Sequence, residues 1–137
     1  IEREERVDTG DGPSFANEVQ PIIEANCASC HNSGQMASAT VRIDTAGDVA
    51  DISDGIKTVT QTRYMPPWPA SDGGVELLHD PRLSDEDLAT LAAWSDAGGP
   101  LDVDRDAPVT MTAEAAALLP RKDQTVRIEP YTGDPST

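Results

Sequence analysis

Large aromatic side chains are scarce in this sequence: Phe15, Tyr64, Trp68, Trp94 and Tyr131 are the only ones in 137 residues, 4% of the chain. A hydrophobic fraction of 37% still supports one modest core. The length suits one compact domain of about 100 residues with tails, and hardly two. So few large side chains leave room for another group at the centre. Basic residues are also short, with 10 Lys and Arg against 25 Asp and Glu and a formal charge of −15. Such a charge repels nucleic-acid phosphates and anionic membrane surfaces, so neither is expected as a partner. No apolar run approaches the roughly 20 residues that a membrane-spanning helix needs, and no signal peptide is evident. The first residue is Ile1, which fits a processed or excised product. Two cysteines cannot build a disulfide-rich scaffold. Internal repeats and low-complexity blocks are absent.

What is present divides the chain by composition. Residues 1 to 13 hold five acids and two arginines with no apolar pattern, and read as an acidic linker or arm. Residues 14 to 104 read as the folded domain. Beyond Pro100 come Asp102, Asp104, Asp106 and prolines at 108, 120, 130 and 135, so compact structure is expected to stop near there. Residues 105 to 137 read as an extended tail with a short helix and a strand. The strand is residues 125 to 129, where Val126 and Ile128 share one side with no partner strand in view.

Within the domain the spacing predicts three helices, an all-α fold. The first covers residues 14 to 26, with Phe15, Val19, Ile22 and Ile23 on one side and Pro21 imposing a kink or a fresh start near Gln20. The second covers residues 46 to 62, capped by Thr45 with Asp48, with Val49, Ile52, Ile56 and Val59 as its apolar stripe. The third covers residues 85 to 97. Ser84 caps it, Asp85, Glu86 and Asp87 suit its positive N-terminus, and Gly98-Gly99-Pro100 ends it. Trp94 is expected to pack this helix on the first. Long loops at residues 31 to 44 and 63 to 82 call for a reason, and a bound cofactor is one.

Cys27-Ala28-Ser29-Cys30-His31 is the C-x-x-C-H pattern of covalent haem attachment. Two thiols three residues apart on one helical turn can reach both vinyl groups on one porphyrin edge. The adjacent His31 then offers its imidazole to the iron. A redox dithiol normally follows a strand, whereas a helix precedes this motif. A zinc site would need a fourth ligand, and only His79 or a carboxylate remains. Met65 lies in Tyr64-Met65-Pro66-Pro67-Trp68-Pro69, where prolines can hold a weak thioether ligand in place. It is the expected distal ligand, with His79 next and Met36 and Met111 behind. Arg63 is a candidate to pair with a haem propionate. Tyr64 and Trp68 are candidates to pack on the porphyrin or donate to a propionate.

These residues carry a resemblance. The helix leading into C-x-x-C-H, the methionine loop and the closing Leu/Trp helix look like a class I cytochrome c. Val19-Gln20-Pro21-Ile22-Ile23, residues 27 to 31, Arg63-Tyr64-Met65-Pro66-Pro67-Trp68, Leu83-Ser84-Asp85-Glu86 and Ala93-Trp94-Ser95-Asp96-Ala97-Gly98 resemble a narrower bacterial group. Its members are cytochrome c-like domains with an M-P-P-W ligand loop, found near domains like copper type II, ascorbate-dependent monooxygenases. The resemblance covers about residues 14 to 104. Residues 33 to 44 depart from the group, with small and polar residues in place of its apolar loop.

The resemblance implies a small helical domain around one covalent haem c. Cys27 and Cys30 would make the thioether links, His31 would be the proximal ligand and Met65 the distal one. The expected function is a mono-haem electron carrier rather than an enzyme. It would work outside the cytoplasm, in the periplasm or at a membrane through a partner or anchor. Its partner would be a redox protein or larger complex, with a copper monooxygenase-like partner, or a haem sensor or peroxidase role, as alternatives. Residues 80 to 106 carry eight acids and two arginines, a surface that could meet a basic redox partner.

Overall fold

Ser14 opens the first helical stretch: its hydroxyl accepts from the Asn17 N–H at 3.1 Å. In the computed structural model, which describes residues 12 to 67 and 81 to 112, this stretch begins as a wide π-helical turn, Phe15–Val19. It tightens into α1, Gln20–Asn26, with Pro21 in the first turn, where its fixed φ suits a helix. The proline therefore restarts the helix. A single further turn, α2 (Ala28–His31), follows directly.

Thr45 and Asp48 form the expected capping box at the head of α3, Ala46–Asp51. The single helix predicted for residues 46 to 62 is instead two. At Ile52 the backbone leaves the helical region (φ −113°, ψ 19°), and α4 resumes as Ser53–Gln61. The break coincides with a tight approach of Gly99, where a Cβ would lie 2.9 Å from the Ser53 hydroxyl and 3.4 Å from the Ala50 carbonyl. Helix α5, Asp85–Asp96, starts at Ser84, whose hydroxyl accepts from Asp87 N–H at 3.1 Å. It ends at Gly98 and Gly99, both at positive φ.

Helices α4 and α5 pack antiparallel. Asp54 meets Ser95 (3.2 Å), Lys57 pairs with Asp96, and the Gln61 amide reaches the Leu88 carbonyl (3.4 Å). Thus the start of α4 meets the end of α5, and the end of α4 meets the first turns of α5. The core lies between this pair and the first helical stretch. Phe15, Val19, Ile23, Val49, Leu91, Trp94 and Val109 are fully buried there. Trp94 packs on Phe15 as expected, ring centroids 5.8 Å apart and tilted by 42°. Its indole N–H donates to the Pro100 carbonyl at 2.7 Å, so no buried polar atom is stranded. Among the described residues there is no strand, only an isolated bridge between Thr45 and Pro108. The fold is all-α.

The expected end of compact structure near Pro100 is corrected. Ala46 and Gly47 donate to the carbonyls of Ala107 and Arg105 at 2.9 and 2.8 Å, and Val109 donates to that of Asp44 at 2.9 Å. Val109 is buried in the core. Asp102 accepts from the Ser14 hydroxyl and from Ala16 N–H, at 2.9 Å for the latter, which ties this segment to the head of the first helical stretch. Burial alone would raise the Asp102 carboxyl. The hydrogen bonds from Ser14 and Ala16 outweigh it and hold the group below its ordinary range. The aspartates and Pro108 suppress a helix there, but backbone hydrogen bonds to the domain do not need one. Most of the arm at residues 1 to 13 and the helix and strand expected after residue 112 lie outside the described residues.

Candidate functional site

Helix α1 runs out at Asn26, and Cys27 continues the chain by donating its N–H to the Ile23 carbonyl at 2.8 Å. The Cys27 carbonyl then accepts from both Cys30 and His31 N–H at 3.1 Å. The whole C-x-x-C-H motif is therefore one helical turn, and its two thiols stand at i and i+3, which are neighbours on a helix surface. Both cysteines are free and partly exposed. Cys27 packs against the core cluster. Burial, with the Cys30 thiol next to it, pushes the Cys27 thiol up to about 11.

His31 is fixed from several sides. Its Nδ1 lies 2.7 Å from the Val41 carbonyl. A carbonyl can only accept, so this contact places the proton on Nδ1 and leaves the Nε2 lone pair available as a ligand. The His31 carbonyl accepts from Ile43 N–H at 2.9 Å. Asn32, one residue on, donates through Nδ2 to the carbonyls of Ile43 (2.5 Å) and Val109 (2.9 Å). Its Oδ1 accepts from Met111 N–H at 3.0 Å. Asp44 steadies the same loop by accepting from Ser33 N–H at 2.8 Å and from the Ser33 hydroxyl. The Ser33 hydroxyl, then its N–H, then Arg42 hold the Asp44 carboxyl below its ordinary range. None of Asn32, Val41, Ile43 or Asp44 was singled out from the sequence. The alternation of Val41 and Ile43 was the one local signal for them.

Met65 leaves the end of α4. It is partly buried, and its N–H donates to the Val59 carbonyl at 2.9 Å. The Met65–Pro66 peptide is cis. Tyr64 beside it is 69% exposed. Arg63 turns its guanidinium to the Leu83 carbonyl (2.8 Å) and to Asp85 (3.2 Å). Met36 is 89% exposed, while Met111 is partly buried near Asn32 through its amide. Trp68 and His79 lie outside the described residues. The structure thus gathers Cys27, Cys30 and His31 on one turn and sets Arg63, Tyr64 and Met65 together at the end of α4. An open depression elsewhere is lined by Leu101, Asp102, Val103, Asp104, Asp106 and Ala107, and by none of these candidates.

The donor set fits a covalently held haem. Two free thiols share one face of a turn, and the adjacent imidazole has its ligating nitrogen released by a carbonyl on the other. A structural metal ion fits less well, since among the described residues no group of three or more His, Cys, Asp or Glu side chains is arranged to hold one. The family model described as "Cytochrome C oxidase, cbb3-type, subunit III" matches residues 15–94, more than half the chain. The chain belongs to that family. A member of this cytochrome c-type family is a haem-binding, electron-transfer domain, and the helical fold around the C-x-x-C-H turn agrees with it. No curated protein and no solved structure matches the chain. No helix among the described residues is long and apolar enough to cross a membrane.

Proposed function

We propose that this chain is a mono-haem c-type cytochrome domain, residues 14 to about 112, that carries single electrons outside the cytoplasm within a larger redox complex. The observation that carries the reading is the Cys27 to His31 turn with His31 Nδ1 bound to Val41. Cys27 and Cys30 would each add S–H across a vinyl group, so both atoms of the thiol are retained and nothing leaves. His31 Nε2 would be the proximal ligand, made more basic by the Val41 carbonyl at its other nitrogen. Met65 would supply the distal thioether, favouring the reduced state relative to a second imidazole. Tyr64 and Trp68 would shield the porphyrin. The haem, when bound, supplies exchange of one electron between ferric and ferrous iron. With His31 and Met65 both holding the iron, the chain would keep oxygen and peroxide off it.

Membership in a family described as an oxidase subunit supports the complex. The excess of acids in residues 80 to 106 supports a partner with a basic docking face. Service to a copper monooxygenase-like partner rests on the M-P-P-W motif alone, and a sensor or peroxidase role needs Met65 off the iron.

Denaturing mass spectrometry of protein produced with a haem-attachment system should give the polypeptide plus one haem, and Cys27→Ala with Cys30→Ala should release it. A wild-type mass equal to the bare chain sinks the reading. The ferric protein should show the weak near-infrared sulfur-to-iron band, which Met65→Ala abolishes. Loss of that band with Met36 or Met111 replaced instead would move the distal ligand there.

A further inference from the structure

We propose that Arg63 is a positioning residue for Met65, holding in place the chain that presents the thioether; this rests on Met65 being the distal ligand. Helix α4 ends at Gln61, and at Arg63 the chain reverses with φ 58°. That is the left-handed conformation that glycine or asparagine usually supplies after a helix, and a long side chain there is strained. The side chain gives the arginine its reason. Nη1 donates to the Leu83 carbonyl at 2.8 Å and Nη2 pairs with Asp85 at 3.2 Å. Leu83 is buried, so its carbonyl is a fixed anchor. The Asp85 side chain is 99% exposed and adds little.

The backbone completes the arrangement. Arg63 N–H donates to the Thr60 carbonyl at 3.0 Å and Met65 N–H to that of Val59 at 2.9 Å. Both neighbours of the exposed Tyr64 are thus tied to α4, and Arg63 also ties this turn to the lead-in of α5. Lys57 and Asp96 join the same two helices elsewhere along their length. They offer a matched tether that does not touch the methionine turn. A guanidinium committed to the Leu83 carbonyl is a different job from neutralising a propionate, and the two are separable.

The test uses the haem-loaded protein. With Met65 on the iron, cyanide would bind the ferric protein only as fast as the thioether leaves, and the near-infrared band would fade at high pH as the thioether is displaced. Arg63→Gln should speed cyanide binding about tenfold, the scale of one hydrogen bond from a charged donor. The pH midpoint of band loss should fall by about one unit, the same factor. Arg63→Lys, which keeps one donor, should recover part of both effects. Arg63→Gly relieves the turn, so it should lose less denaturant resistance than Arg63→Gln while binding cyanide as fast. Lys57→Ala should leave the cyanide rate at the wild-type value.

Wild-type cyanide rates in Arg63→Gln and Arg63→Gly overturn the proposal. So does an equal acceleration by Lys57→Ala, or a changed midpoint potential with an unchanged cyanide rate, which marks a propionate partner. Failure of the ligand assignment shows separately, as a near-infrared band that survives Met65→Ala.

Discussion

Around His31 the chain is held from three directions, by Val41 at the ring, by Ile43 at the carbonyl and by Asn32 one residue on. Around Met65, among the described residues, it is held by one amide hydrogen bond to the last turns of α4 and by the reach of Arg63 to α5, beside an exposed tyrosine. The first region is continuous with the core, since Cys27 and Ile43 pack into it and Val109 closes over it. The second is the turn that leaves α4 on the side where α5 begins. In the proposed assignment the two sides of one iron atom would therefore differ in how readily each ligand leaves. A ligand built into a core departs only when the core opens, whereas one on a turn departs when that turn loosens.

The largest effect should come from the frame both regions share. Trp94→Ala removes the ring that packs on Phe15 and leaves a cavity, and it should cost about 3–5 kcal/mol in denaturant unfolding. Both the near-infrared band and the helical signal should then vanish together. Loss of the band well before the helices would show that the Met65 turn does not share this frame.

A smaller change tests the His31 side alone. Asn32→Ala leaves the carbonyls of Ile43 and Val109 and the Met111 N–H without this partner. It should cost about 1–3 kcal/mol in denaturant unfolding. At neutral pH and without denaturant, its cyanide binding should stay at the wild-type rate. Faster cyanide binding in this variant would mean that the two sides are coupled and the contrast is false.

The smallest effect is expected from acid. Asp44 and Asp102 both have carboxyls held below the ordinary range. Their stabilisation is therefore fully present above the unfolded value of about 4 and is lost as pH falls through the lower folded values. Asp102→Asn should lower stability at pH 7 by under about 1 kcal/mol, a figure discounted for solvent screening. It should also flatten the loss of stability with acid, read as melting temperature against pH. An acid limb as steep as that of the wild type would remove Asp102 from this account.

The signals legible in the sequence were those that act within a few residues. Ser84 and the Thr45–Asp48 pair cap helices as read, Pro21 restarts one, and Gly98 and Gly99 end another. The C-x-x-C-H turn was legible for the same reason, because its chemistry lies in five consecutive residues. What escaped acts across the chain. The apolar stripe runs unbroken through Ile52, and the interruption there sits where Gly99 arrives from the end of α5. Asn32 looks like an ordinary polar residue until its amide finds carbonyls 11 and 77 residues away. Residues 105 to 109 join the domain largely through backbone groups, which every sequence possesses and no pattern reveals, with Val109 buried and Arg105 paired to Asp51 besides. In the sequence Arg63 is a candidate partner for a propionate, and its contacts to Leu83 and Asp85 depend on where α5 begins.

The reach of Asn32 also decides where this gene can be cut. A fragment stopped at Pro100 would contain all three predicted helices, both thiols and both proposed axial ligands, and would look complete on paper. It would lack the Val109 carbonyl and the Met111 amide that close the loop behind His31. It would also lose Arg105 and Ala107, which accept from the start of α3. A transplantable unit must therefore run through Met111, and a fusion partner is best joined beyond Thr112.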